Sequence, residues 1–359
     1  MGIYYLAFLI IFIADTYYGY YNKNTMTPEK QGRSISKVAF IVLFLLFALR
    51  HPSMGMDLGY FNRSIGYLHS FDKISKYSWN EILGGIVWQN YEYGYIVFNK
   101  LVSSIYNNRQ FFLSACAFVT IAPIMKYISK KSPLPFLSVV IYMGLPVFFI
   151  TYSGLRQAMA IAITMLSVNF IEEKKPIKFL LTIWLATLFH YSAYIFLLAY
   201  PIYYIKLNNV WRQFSALCIP LVFLFREPLY EVFGKLFKDT VVADQTGAIT
   251  LFLVFSAVYI YLIMFNRDWD KNQNGMINLF YVACIVQVFG SVSNIAMRVG
   301  YYFMPYLIIA VPKTITKNKN RQEYQTNYVL VLLAFSLYSM YAIRTSTWAM
   351  AYPYYFFWE

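Results

Sequence analysis

Long apolar runs alternate along the chain with short polar stretches that are mostly basic. Runs able to cross a bilayer, or to half-cross it with a break, occur at about twelve places. They lie near 3–20, 38–50, 110–128, 134–150, 155–171, 176–189, 192–205, 213–225, 248–265, 275–296, 300–312 and 327–343. This pattern predicts an all-α, polytopic integral membrane protein, with one transmembrane domain over 1–359. The run 176–205 is expected to split at His190-Tyr191-Ser192 into two short helices.

The basic clusters fix an orientation. Lys23/Lys30/Arg33/Lys37, Lys126/Lys130/Lys131, Lys174/Lys175/Lys178, Lys206/Arg212, Arg267/Lys271 and Lys313/Lys317/Lys319/Arg321 fall on one side if the spans alternate. The positive-inside bias makes that side cytoplasmic. The stretch 81–106 could be a further span, but that would move Lys126, Lys130 and Lys131 outside. It reads instead as an amphipathic helix at the outer surface, within a large outer loop 51–109. A second outer loop covers 226–247, and an aromatic tail, 344–359, is also outer.

Composition supports the membrane reading: 59% of residues are hydrophobic and 13% charged, against about 25% charged in soluble domains. The net charge of +14 is therefore loop charge facing anionic lipid, and no nucleic-acid partner is expected. Cys116, Cys218 and Cys284 sit in apolar runs, with neither metal-ligand nor disulfide spacing. The first run contains Asp15 and has no basic flank, so it reads as a retained span.

Seven arginines break the charge bias: Arg50, Arg63, Arg109, Arg156, Arg226, Arg298 and Arg344. Guanidinium groups placed against the bias need partners, and phosphate is a common multivalent one. An anionic, lipid-borne substrate on the outer face is the expectation.

Several segments could carry chemistry. Arg50-His51-Pro52-Ser53-Met54-Gly55-Met56-Asp57 brings a cation, an imidazole and a carboxylate together among helix breakers. It reads either as a capped helix end or as a phosphate-binding, acid/base loop. Glu92, Tyr95 and Asn99 share a helix face by spacing; Glu92 is either an interfacial helix-start charge or a sugar ligand or base. In Ser153-Gly154-Leu155-Arg156-Gln157 a turn opens a helix whose first residues are Arg156 and Gln157. The helix dipole repels Arg156, and a bound anion would offset that. His190 lies inside an apolar run, as a packed residue or a proton carrier. Arg298 opens another span, with Tyr301 and Pro305 on its face at i+3 and i+7. Arg344 starts the tail, which is an interface anchor or a substrate contact.

No Asp-x-Asp, phosphate-loop, zinc or serine-elbow motif occurs. No metal or cofactor is expected. The chemistry suggested is glycosyl transfer from a diphosphate-activated sugar. Arginines would stabilise the leaving diphosphate, and Asp57, Glu92 or His190 would act as base.

The order R-x6-D at 50–57, E-x-G-Y at 92–95, S-G-x-R-Q at 153–157, F-H-x-S at 189–192 and R-x-x-Y at 298–301 resembles the EpsG-type, Wzy-like polysaccharide polymerases of bacteria. That family's Gly-Thr-Asp is here Gly55-Met56-Asp57, without the hydroxyl. The resemblance implies a multi-span, GT-C-like inner-membrane enzyme that joins undecaprenyl-diphosphate-linked oligosaccharide repeat units of O-antigen or capsule at the periplasmic face. It implies membrane lipids and a chain-length regulator as partners. The alternatives are a flippase or other transporter, for which no internal repeat is found, an O-antigen ligase-type transferase, and a membrane acyltransferase.

Overall fold

The computed structural model describes residues 1–22, 24–60, 65–85, 91–237, 246–265, 271–318 and 320–359, without the side chains of 233–237 and 246–247. Arg63, Lys23, Arg267 and Lys319, named above, lie outside the described residues, as does part of each predicted outer loop. Most described residues are helical, and the one β-bridge among them joins Arg50 to Phe356.

The helices are α1 (Gly2–Thr16), α2 (Pro28–Ala48), α3 (Tyr67–Ile74), α4 (Trp79–Leu83), α5 (Tyr93–Ile105), α6 (Arg109–Lys131), α7 (Pro135–Gly144), α8 (Pro146–Phe149), α9 (Leu155–Glu172) and α10 (Pro176–Thr187). A 3₁₀ segment, Tyr191–Leu198, precedes α11 (Ala199–Tyr203), α12 (Asn209–Leu224), α13 (Arg226–Phe237) and α14 (Thr246–Phe265). The last four are α15 (Lys271–Val288), α16 (Asn294–Gly300), α17 (Leu307–Thr316) and α18 (Arg321–Thr345).

Seven described helical stretches are long and apolar enough to cross a membrane: Gly2–Tyr21, Pro28–Ala48, Arg109–Lys131, Ala248–Phe265, Lys271–Ser291, Asn294–Thr316 and Arg321–Thr345. This corrects the expectation of about twelve. Pro135–Gly144, Pro176–Thr187 and Asn209–Leu224 are apolar but shorter. Proline explains one break: Leu145 is held extended ahead of Pro146, and that splits 134–150 into α7 and α8. The run 192–205 is likewise a 3₁₀ segment followed by a five-residue helix.

The chain divides into two compact units, 1–194 with 329–359, and 195–328. In the first, α2 packs on α6, α6 on α9, and α9 on α10. Local signals start these helices. Thr27 accepts the Lys30 N–H, with Pro28 as first helical residue of α2. The Asn108 side chain caps both Gln110 and Phe111 at the head of α6. The centre of α9 is buried on nearly every side, and Ala158, Ala160 and Ala162 let its neighbours approach closely.

The predicted outer loop is a packed layer. Its described part is α3, α4 and α5, not one amphipathic helix, and Gly84 and Gly85 follow α4. Tyr67, Leu68 and Phe71 of α3 and Tyr95 and Val102 of α5 share a core with Phe112, Leu113 and Cys116 of α6 and with Leu155 and Met159 of α9. Phe71 stacks on Phe112 at 4.6 Å. A capping box between Ser78 and Glu81 starts α4 and holds the exposed Glu81 carboxyl below its usual range.

In the second unit, α14, α15 and α17 pack together. Gln273 donates to Thr314 at 2.8 Å, and Arg212, which is buried, donates to Asn274 at 3.0 Å.

Candidate functional site

The loop 50–57 lies in register on the turn 151–153. Arg50 Nη1 donates to the Thr151 carbonyl at 3.0 Å. Gly55, at φ +127°, passes so close to Tyr152 that a Cβ there would sit 2.1 Å from its carbonyl oxygen; only glycine fits. The Asp57 N–H donates to Ser153 Oγ at 3.1 Å. Leu58 is fully buried beneath this loop, while the Asp57 carboxylate is exposed.

The turn 151–154 leads into α9 with no side-chain cap, so Arg156 stands in its first turn. Its Nη1 pairs with Glu92 Oε2 at 2.5 Å. The guanidinium lies over the Tyr91 ring at 4.3 Å and near that of Tyr67 at 5.9 Å. Both partners of the ion pair are mostly buried. The Arg156 Nε is buried and makes no hydrogen bond. Burial pushes the Tyr67 phenol up to about 12, so it stays protonated beside the cation. The anion predicted at the start of α9 is thus supplied by the protein's own Glu92.

Glu92 also reaches the turn 188–192. Its Oε1 accepts the Tyr191 N–H at 2.9 Å. The Tyr95 N–H donates to the Leu188 carbonyl at 3.0 Å. Gly94 permits this approach, since a Cβ there would lie 2.6 Å from Leu188 Cβ. Beside it, His190 Nδ1 bonds Ser192 Oγ at 2.7 Å and accepts the Ser192 N–H at 3.3 Å. An acceptor at Nδ1 leaves the neutral ring with its proton on Nε2.

The first unit therefore brings together four of the five motifs: Asp57 against Ser153, and Glu92 against both Arg156 and the His190 turn. Tyr95 and Gln157 belong to this region but are buried, and Asn99 is turned inward, donating to the Tyr95 carbonyl at 2.7 Å. Arg344 is exposed in the last turn of α18.

The fifth motif lies in the second unit and differs from expectation. Arg298 is exposed in the last turn of the short helix α16, which begins at the Ser293 cap, and so does not open a helix. The helix stops at Gly300, so Tyr301 and Pro305 do not continue its face; both are buried.

The surplus of arginine also has partners within the protein. Arg109 forks onto Asp72, its Nε donating to both carboxylate oxygens. Arg226 reaches Glu227 at 3.3 Å and the Phe223 carbonyl at 3.0 Å.

One feature carried a signal that the motif reading passed over. His51 Nδ1 bonds Ser53 Oγ at 2.8 Å and accepts the Ser53 N–H at 3.2 Å. His51-Pro52-Ser53 thus repeats the geometry of His190-Tyr191-Ser192, and the shared His-x-Ser spacing is visible in the sequence. Among the described residues, no three His, Cys, Asp or Glu side chains gather as metal ligands.

The EpsG family model matches residues 33–356, nearly the whole chain and all five motifs. The chain belongs to the EpsG family. It is a polytopic helical membrane protein of a family suited to polysaccharide biosynthesis. No curated protein and no solved structure matches this EpsG-family chain.

Proposed function

We propose that this protein is a polysaccharide polymerase, a glycosyltransferase that transfers a growing glycan from its polyprenyl diphosphate carrier to the next lipid-linked repeat unit. The observation that carries this reading is the Glu92–Arg156 pair with His190 and Asp57 around it, drawn from four separate motifs of an EpsG-family chain. A GT-C-like mechanism at the periplasmic face of a bacterial inner membrane, with undecaprenyl diphosphate as carrier, belongs to the same reading.

Each residue has a role that its contacts permit. Asp57 is exposed, and its backbone is fixed by Ser153, so its carboxylate suits the base. Glu92 suits that role less, since both its oxygens already accept donors. His190, with its proton on Nε2, suits donation to the departing phosphate. Arg156, only part-buried, stabilises charge as it builds on the diphosphate. In the step, an acceptor hydroxyl oxygen bonds to the anomeric carbon as the bond from that carbon to the phosphate oxygen breaks. The hydroxyl proton passes to Asp57, and polyprenyl diphosphate leaves with the electron pair. Arg298 and Arg344 remain candidate contacts for the diphosphate or the glycan.

The test places Asp57→Asn, Arg156→Ala and Arg298→Ala in a strain lacking this gene, with membrane abundance checked first. Loss of the long-chain ladder on a gel, with single capped units remaining, is the expected result. Loss of every unit from the surface would point to export or ligation, and an unchanged ladder would sink the reading.

A further inference from the structure

A groove in the first unit lies apart from these side chains. It runs between α1 and α2, lined by Ile3, Leu6 and Ile10 on one side and by Val42, Leu45 and Leu46 on the other, and holds about 200 Å³. The side chains that line it from both helices are aliphatic, and the half-exposed Leu6, Ile10 and Leu45 leave it open on one side. Tyr354 and Phe356 close it at the end of α2.

Those two residues belong to an extended strap laid antiparallel on the start of the 50–57 loop. The His51 N–H donates to the Tyr355 carbonyl and the Phe357 N–H to the Leu49 carbonyl, each at 2.9 Å. The Tyr354 hydroxyl donates to the Leu46 carbonyl at 2.8 Å, and the Tyr4 hydroxyl to the Ala351 carbonyl at 2.5 Å. Arg50 follows Leu49 directly and pairs with Phe356, so the closed end of the groove adjoins its backbone. The Arg50 side chain is 1% exposed, and its Nε has no partner. Among the described residues it pairs with no carboxylate, and its guanidinium rests over the Tyr152 ring at 5.0 Å.

We propose that this groove seats the hydrocarbon chain of a polyprenyl diphosphate, the carrier lipid of the reaction proposed above, on which this inference rests. Its size and lining suit the first isoprene units of one chain and offer a saccharide no hydrogen bonds along the helices. It ends where the Arg50–Asp57 loop begins, so a lipid held there by its head has a path for its tail. The uncompensated Arg50 charge beside that end favours a lipid with an anionic head over a zwitterionic one.

The experiment uses the full chain in phosphatidylcholine vesicles and a polyprenyl diphosphate bearing a diazirine in its first isoprene units. Adducts are mapped by peptide mass spectrometry. They are expected on Ile3, Leu6, Ile10, Val42, Leu45 and Leu46. Excess unlabelled undecaprenyl diphosphate, or Ile10→Trp filling the groove, cuts labelling about tenfold, the effect of losing burial of roughly two methylene groups. Leu9→Trp, exposed on the same helix but outside the groove, leaves it unchanged. Adducts elsewhere, equal competition by phosphatidylglycerol, or full labelling of Ile10→Trp would each overturn the site. Chain elongation is followed in parallel with a lipid-linked repeat unit. Groove labelling without elongation keeps the groove and removes the polymerase reading; elongation without groove labelling does the reverse.

Discussion

Arg50 and Arg156 stand at comparable places, one just past the end of α2 and the other in the first turn of α9, yet their surroundings are opposite. Arg156 has a carboxylate, a ring face and partial access to solvent. Arg50 has a carbonyl and ring faces, no counter-ion among the described residues, and almost no access. Burial lowers its pKa to about 10, which still leaves it charged at neutral pH. A cation whose carboxylate depends on it cannot be removed alone, whereas one without a counter-ion strands no charge when an apolar side chain of similar length replaces it.

The largest effect should come from Arg156→Met, which strands Glu92 in a mostly buried place. We expect a loss of about 3 kcal/mol, read by thermal unfolding of the full chain in detergent. Adding Glu92→Gln should recover more than half of it. Arg50→Met should cost less than about 1 kcal/mol; an equal cost at both arginines would break the contrast. Gly55→Ala tests the loop that carries Arg50, and a φ of +127° with Tyr152 in the way should cost about 2 kcal/mol. Glu92→Gln alone keeps an acceptor for the Tyr191 N–H and should cost about 1 kcal/mol; a double-mutant cycle with Arg156 measures the coupling. The smallest effect is expected for Arg109→Ala. Its pair with Asp72 is 44% and 38% exposed, and such pairs contribute about 0.5 kcal/mol. A normal polysaccharide ladder from that variant would separate arginines that hold the layer from those that serve the site.

Much of this arrangement was legible from residue pattern. Described helix falls within all twelve apolar runs, because hydrophobic length survives any packing. The continuity of those helices was only partly read: the split beside His190 was expected, whereas the break ahead of Pro146 was not, although that proline stands inside the run 134–150. The motifs 50–57, 92–95, 153–157 and 189–192 do meet, but the sequence could not say that Glu92 would be Arg156's partner. Tyr95 and Asn99 share a face as spacing predicted, and that face turned inward. Arg298 was misplaced because Ser293 caps the helix earlier than the arginine suggests. The strap was invisible for another reason: a few residues pair with a loop some 300 positions away, and such pairing leaves no periodic trace.

That pairing also bears on assembly in time. Residues 49–54 leave the ribosome early, while the segment that covers them emerges only after α18. Until then Arg50 lacks its cover, and the turn at 151–153 is the partner it can find. A protein stalled before α18 inserts should therefore hold its first two helices in place with the 50–57 loop open to solvent, protease and chaperone.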